Sequence, residues 1–459
     1  MPHQDQNCQC SNIKSTHLLE VTQWLLSGII FSKPLHVNCS WTFRTLVMTA
    51  LFWAWSREST MAERFSCAQR LTCHLDESKK ISTSSQAFLE ILRRHTVYLK
   101  GLLLDAFRMH MQTIDQHWMT FGYVLFGVDG TDVGVARTKS NQSAFTTNGK
   151  SKHQRRKRIK NQTAHQKKQK QCPRILMTTL FHISLGLPWA WRLGSKSDNE
   201  RSQLLSMLGE LPKNSMIVGD AGFIGFEFLS RVLGSGADLV VRVGSNVKLL
   251  KQLGRVRESN GIVYIWPDWA MKKNFQPLKF RLVELYDGRK PVYLITSVLS
   301  TARLSDQQVA TIYKMRWDIE LYHRNLKQTM GHHKLLSRSA ENALVELEWI
   351  VLGYTAMMLY SVDEMVHQEI DIGRLSSAKI ILAFRQTARD YLHEVEPDAT
   401  LNHRICRALK DAYQRTTSKE SRNYPSKRKH KPPGKPIIEK ANELQKNVAK
   451  ELKKQSLAA

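Results

Sequence analysis

From His17 to about Phe121 the apolar residues recur at three- and four-residue steps, as in Phe88, Ile91, Leu92, Tyr98 and Leu99, with few glycines or prolines. That period is the helical one, so residues 1–120 read as a helical N-terminal domain. The pattern changes at Tyr123–Val128, a continuous apolar run that stops at Asp129-Gly-Thr131 and predicts a buried strand ending near Asp129. Ile175–Ser184 and Trp189–Leu193 flank Gly186-Leu-Pro188, the turn chemistry of a hairpin. Ser197-Asp-Asn-Glu200 supplies a cap-like start for a helix through Leu208. Met216–Gly219 is a second apolar run that stops at an aspartate, Asp220, and precedes a helix over Phe223–Leu233 and a strand over Asp238–Val243. This order, over residues 121–245, is a mixed α/β layout around one sheet.

Residues 246–304 are strand-like throughout, with Ile262–Trp266, Phe280–Leu285 and Val292–Ser297 separated by turn signals at Ser259-Asn-Gly261 and Asp287-Gly288. They read as a small inserted β-rich domain. Helical patterns fill residues 305–400, first from Ser305 to about Met330, then over Asn342–Val362 and Ala378–His393. Residues 401–459 read as a basic tail. The longest apolar runs, such as Leu46–Trp55 and Trp349–Tyr360, fall short of the roughly 20 residues that cross a bilayer, so no membrane partner is expected. A polar Met1–Cys10 offers no secretion signal, and seven scattered cysteines suit a reducing cytoplasm. Cys8-x-Cys10 lacks the paired spacing of a zinc module.

Charge narrows the class of partner. The 459 residues carry 68 Lys+Arg against 40 Asp+Glu, a formal charge of +28, while 42% apolar content excludes a wholly disordered basic protein. A polyanion is the expected partner, nucleic acid first. Most of the excess sits in two segments. Lys150–Arg174 holds eleven Lys/Arg and no acid, including Arg155, Arg156, Lys157 and Arg158, and reads as a mobile arm against DNA backbone. Ser418–Gln455 holds twelve Lys/Arg and four Glu and reads as a solvated extension.

The candidate chemistry lies in Tyr313-Lys-Met-Arg316-Trp-Asp-Ile-Glu320 and Lys327. On a helix, Tyr313, Arg316, Glu320 and Lys327 fall within about 60° of one another, so a phenol, two cations and a carboxylate share one stripe. The same stripe also reads as a solvated face laced with i,i+3 and i,i+4 ion pairs. Asp129 and Asp220 each stand at the C-terminal end of a buried-type strand, where ligand-binding residues of open α/β sheets emerge, although each alone also reads as a turn aspartate. With Glu320 they supply the hard oxygen ligands that Mg²⁺ or Mn²⁺ requires, and two such ions can serve an in-line phosphoryl transfer. His182 reads as a core histidine, and adjacent His332 and His333 point to different sides of a helix, so none is assigned to metal.

These residues carry a resemblance. The Y-(2)-R-(3)-E-(6)-K spacing of Tyr313, Arg316, Glu320 and Lys327, with its Arg316-Trp-Asp-Ile-Glu320 and Lys327-Gln-Thr flanks, resembles the signature of transposases of the IS-four insertion-sequence family. Val128-Asp-Gly-Thr131 and Val218-Gly-Asp-Ala-Gly-Phe223 resemble that family's two aspartate motifs, and the likeness runs from about Phe121 to the Leu344–Leu352 region. It implies an α/β fold with a ribonuclease H-like catalytic core interrupted by an inserted β-rich domain. It also implies a catalytic, metal-holding triad of Asp129, Asp220 and Glu320, with Asp132 as competitor for the first place. Arg316 and Lys327 would pair with phosphates near the scissile bond and Tyr313 would hydrogen-bond one. Trp266 or Trp269 would stack on a flipped base, unless packed in the β-rich core. The implied partners are double-stranded DNA, as element ends and target, and a second copy in a synaptic homodimer, in a bacterial cytoplasm at the nucleoid. A nuclease without strand transfer and a catalytically silent DNA binder are the alternatives.

Overall fold

The computed structural model describes residues 18–33, 35–36, 39–76, 81–146, 172–195, 198–254, 261–286, 291–393, 399–411 and 433–458. Arg155, Arg156, Lys157 and Arg158, nearly all of the 150–174 arm, the Cys8-x-Cys10 pair and the Asp287-Gly288 turn lie outside the described residues.

The N-terminal region is helical: α1 Leu18–Leu25, α2 Phe43–Trp55, α3 Met61–Leu75, α4 Ser85–Gln112 and the short α5 Asp115–Trp118. Thr42 and Thr60 close capping boxes at α2 and α3, each satisfying two N–H groups that the first turn leaves without partners. Helix α4 buries Phe88, Leu92, Leu99, Leu103 and Phe107, the face its period predicts. Helix α2 is buried nearly all round, because it lies between α3 and a helix from the other end of the chain.

A ten-stranded sheet follows: β1 Val124–Gly134, β2 Arg174–His182, β3 Leu187–Ser195, β4 Ser215–Gly219, β5 Asp238–Val243, β6 Lys248–Lys251, β7 Ile262–Ile265, β8 Leu278–Tyr286, β9 Pro291–Thr296 and β10 Ile437–Lys440. Strand β1 pairs antiparallel with β2 and parallel with β4, and β4 pairs parallel with β5, giving the neighbour order β3-β2-β1-β4-β5. Short helices α6 Lys139–Phe145, α7 Glu200–Leu205, α8 Phe226–Gly234 and α9 Asp268–Lys272 connect the strands. Strands β6 to β9, within the segment read as an inserted domain, continue this sheet beyond β5. Buried Arg281 of β8 donates to Asp306 at 2.8 Å and to the Leu304 carbonyl, fastening that extension to the helix that follows.

That helix comes in pieces: α10 Asp306–Met315, α11 Trp317–Arg324 and a π-helical turn Asn325–Thr329. Val309 and Ile312 of α10 pack on Leu125, Met216, Val218 and Val240, so odd positions of β1 and even positions of β4 face it. Beyond lie α12 Ala340–His367, α13 Ser377–Leu392, α14 Leu401–Cys406 and α15 Glu443–Ala458. By length and composition α12 could cross a membrane, longer than the apolar run read from the sequence, but 89% of its apolar window is buried in the fold. It is the core helix against which α2 and α4 pack: Trp55 Nε1 donates to the Gly353 carbonyl at 2.9 Å and Trp349 Nε1 to Thr96 Oγ1 at 3.0 Å. The N-terminal helices therefore share one core with the C-terminal half. The described part of the tail corrects the expectation of a solvated extension, since β10 pairs with β6 and α15 follows it. Its Ala449 and Leu452 are buried, because the edge of β6 offers backbone partners that composition cannot reveal.

Two buried histidines set a pH dependence. Burial pushes His182, whose Nδ1 accepts the Leu185 N–H, and His332, beside the Ala54 carbonyl, down to about 3. Below about pH 6.5 the unfolded chain protonates both while the folded one does not, so stability falls with pH, by about 1–2 kcal/mol per histidine between pH 7 and 5. Urea unfolding at the two pH values should show this, and His182→Asn, whose amide can still accept from Leu185, should remove part of it; an unchanged pH slope in that variant would refute the assignment.

Candidate active site

Strands β1 and β4 run parallel with Gly127 opposite Val218, so two residues further along each strand Asp129 and Asp220 stand level. Neighbouring strands are about 4.8 Å apart, and both positions face the α10–α11 side. Asp129 Oδ1 accepts the Gly130 N–H at 2.9 Å, and Oδ2 lies 3.4 Å from His323 Nδ1. Asp220 is the first residue past β4, and its Oδ1 accepts the Gly222 N–H at 2.7 Å in an Asx turn. The turn reading and the site reading of this aspartate are thus compatible.

Helix α11 packs close to β1 at Gly127: a Cβ there would press on Ile183 at 3.3 Å and touch Ile319 at 3.8 Å, so a larger side chain would crowd both. From that contact the two elements climb together. Ile319 meets Gly127, His323 meets Asp129, and Lys327 Nζ donates to Thr131 Oγ1. Arg316, at the junction of α10 and α11, donates Nη2 to Glu320 Oε1 at 2.9 Å, and its guanidinium lies 5.5 Å from the centre of the Tyr313 ring. Burial pulls the Arg316 pKa down, but Tyr313, Glu320 and Asp129 together hold it above its ordinary value. Burial lowers that of Lys327, with Asp132 and Asp129 opposing.

Arg316 and Lys327 both feel the charge of Asp129, Tyr313 and Glu320 flank Arg316, and the two cations are each engaged by a neighbour. Among the described residues no three His, Cys, Asp or Glu side chains converge closely enough to hold an ion. Glu320 is drawn to Arg316, and like-charged carboxylates repel. Asp132, the competing first aspartate, faces Arg174 at 3.6 Å, and alternation along β1 turns it from the side Asp129 takes.

Other expectations divide. Trp266, chosen as a base-stacking platform, is 4% exposed and donates its indole N–H to the Phe275 carbonyl at 2.8 Å, which removes it from any surface. Trp269 is 40% exposed and packs edge-on against Phe226. Two residues by the site were missed. His323 lies inside the quoted signature and was passed over as a spacer. Glu200, the first residue of α7, was read only as part of a helix start. Its pKa is raised by burial and then by the charges of Asp129, Asp220 and Asp132, which puts a further carboxylate at this site. A Glu in a first helical turn satisfies capping rules by itself, so the sequence carries no separate signal for it.

Comparison with known proteins bears on the same span. Residues 120–356 match the family described as Transposase DDE domain. The chain is 23% identical over 265 residues to the transposase InsG of insertion sequence element IS4 from Escherichia coli K12, covering 56% of this chain and 55% of that protein. It is 24% identical over 221 residues to a Synechocystis sp. protein assigned as the transposase of insertion sequence element IS4SA, covering 46% of this chain and 60% of that one. The matches thus span little more than half the length of these relatives. A piggyBac transposase in a synaptic complex with hairpin DNA, solved by cryo-EM, aligns at TM-score 0.39 and 11% identity over 88% of this chain and 84% of that one.

The close approach at Gly127 is testable. Gly127→Val should push α11 from β1 and lower stability by about 1–3 kcal/mol, the range for overpacking. Thermal unfolding of the variant measures it, and a melting temperature equal to that of the parent would show that α11 does not depend on that gap.

Proposed function

The chain belongs to the family of the transposase DDE domain, and from that premise we propose that it is a DNA transposase. It binds the terminal inverted repeats of its insertion sequence, hydrolyses a strand at each end and joins the 3′ hydroxyl to target DNA. Two copies act on two ends in a synaptic complex, in a bacterial cytoplasm at the nucleoid. The observation that carries the reading is the placement of Asp129 on β1 and Asp220 just past the parallel β4, each two residues beyond the Gly127–Val218 pair, with Glu320, Arg316 and Lys327 on the helical run that packs on β1. The order β3-β2-β1-β4-β5, with β1 and β2 antiparallel and β1, β4 and β5 parallel, supports a ribonuclease H-like core.

The donor set fits a hard divalent cation. Asp129, Asp220 and Glu320 offer carboxylate oxygens only, and the two aspartates emerge side by side, which suits Mg²⁺ or Mn²⁺, two ions in all, and no soft metal. Such ions, when bound, supply positive charge beside the reacting phosphate and its leaving oxygen. The chain's own groups orient the DNA. Arg316 can present its fork to a phosphate, Lys327 a point charge beside Thr131, and Tyr313 a phenol next to Arg316. Trp269, exposed where Trp266 is not, is the aromatic left to receive a displaced base.

An assay of the purified protein on a pre-cut element end, a target plasmid and Mg²⁺ tests the reading. Joined products should appear, vanish in Asp220→Ala and Glu320→Ala, and fall about 10–100-fold in Arg316→Ala, the kinetic worth of one charge-assisted hydrogen bond. Cleavage without joining would replace this reading with a nuclease; binding without either would make the chain a silent DNA binder.

The arm has its own readout. If it grips backbone, replacing Arg155, Arg156, Lys157 and Arg158 together with Ala should reduce the slope of log affinity against log salt by up to about 3.6, from roughly 0.9 per phosphate contact. An unchanged slope would free these residues of any part in binding.

A further inference from the structure

The carboxylate of Glu200 occupies the space that a Cβ at position 130 would fill, so β1 admits it against the residue that follows Asp129 because residue 130 is glycine. Its backbone is tied to the second aspartate as well. The neighbouring Arg201 donates Nε to the Gly222 carbonyl at 2.7 Å, and the Gly222 N–H is the donor to Asp220. The turn leading into α7 is fixed from behind, with Asp198 accepting the Ser195 N–H at 2.7 Å and Asn199 the Arg201 N–H at 2.9 Å. Glu200 is thus held against the residue after Asp129, and the start of α7 is tied through Arg201 to the Asp220 turn.

Charge gives that placement a consequence. Glu200 is half-buried and feels Asp129, Asp220 and Asp132, and the positive charge felt there is that of Arg201. The signature cations are committed elsewhere, Arg316 to Glu320 and Lys327 to Thr131. A role at the helix N-terminus is worth only about 0.3–1 kcal/mol and does not call for a carboxylate turned towards three others. A cation shared among oxygens does call for it.

We propose that Glu200 is a fourth acidic ligand of the metal site, binding a divalent cation together with Asp129 and Asp220, while Glu320 completes the site from α11. The proposal rests on the metal-dependent reading above. A bound ion would draw together four carboxylates from four elements: β1, the turn after β4, the start of α7 and α11. Gly130 is kept free of a side chain so that the α7 carboxylate can enter.

The test uses the full chain without DNA and reads Mn²⁺ binding by calorimetry or by the loss of the free-ion electron paramagnetic resonance signal. Glu200→Gln should raise the Kd for Mn²⁺ about tenfold or more, in the direction of Asp220→Asn. Gly130→Ala, which displaces the carboxylate without removing it, should weaken binding in the parent and have no further effect in Glu200→Ala. Mn²⁺ affinity unchanged in Glu200→Gln but lost in Asp220→Asn would overturn the role of Glu200 and leave the metal-dependent reading standing. Equal effects of Gly130→Ala in both backgrounds would also overturn it. A parent chain that binds no Mn²⁺ would overturn both together.

Discussion

Strand β1 and helix α11 lie side by side and advance at nearly the same rate, and the site depends on that match. Two strand residues rise about 6.7 Å and four helical residues about 6 Å, so Gly127, Asp129 and Thr131 can meet Ile319, His323 and Lys327 in turn. Four α-helical residues overshoot a full turn by about 40°, which over two such steps would rotate Lys327 well away from the strand. The π turn at Asn325–Thr329, closed by the Met330 N–H on the Asn325 carbonyl at 2.9 Å, has more residues per turn and takes that drift back. An irregular last turn thus aims a signature cation at the strand that carries the first aspartate.

Both ends of this helical run are anchored by arginines, buried Arg281 and half-buried Arg385. Arg281 holds the approach to α10 through Asp306 and the Leu304 carbonyl. At the far end Arg385 donates to the carbonyls of Thr329, Met330 and Trp55, at 2.9, 2.8 and 2.8 Å, and its burial pushes it down to about 10. The chain just beyond is clamped by Glu346 of α12, which accepts the N–H groups of Leu336 and Ser337 and pairs with Arg64 of α3 at 3.3 Å in the core. A buried ion pair adds little net stability, but either partner left alone is costly, so the pair fixes geometry. The N-terminal helices, whatever they touch outside, therefore help to hold the α10–α11 run at its depth.

What the sequence could show followed from period and punctuation. The two aspartates stood out because apolar runs stop at them, and the stripe because four polar side chains share a helical face. The tail resisted because pairing of β10 with β6 is long-range and leaves no local trace, while its composition speaks for solvation. Trp266 and Trp269 are three residues apart in one short segment; only packing makes one core and the other surface. Glu200 was invisible for a related reason: its proximity to Asp129 is created by a glycine in β1 seventy residues earlier, and neither residue is unusual in its own neighbourhood.

The two aspartates and the two cations of the site come from different elements, which bears on how DNA would engage it. Aspartates come from strands and turns, cations from the helical run, and each cation already has a partner within the chain. An arriving phosphate must compete with Glu320 for Arg316, while cations bound among the carboxylates would weaken that internal pair by drawing Glu320 to themselves. Metal and phosphate then favour one another without direct contact, because each relieves the charge that the other displaces. On the proposed reading, an enzyme built on this exchange would keep its cutting groups mutually neutralised until nucleic acid and cation are both present, which would suit a chain of formal charge +28.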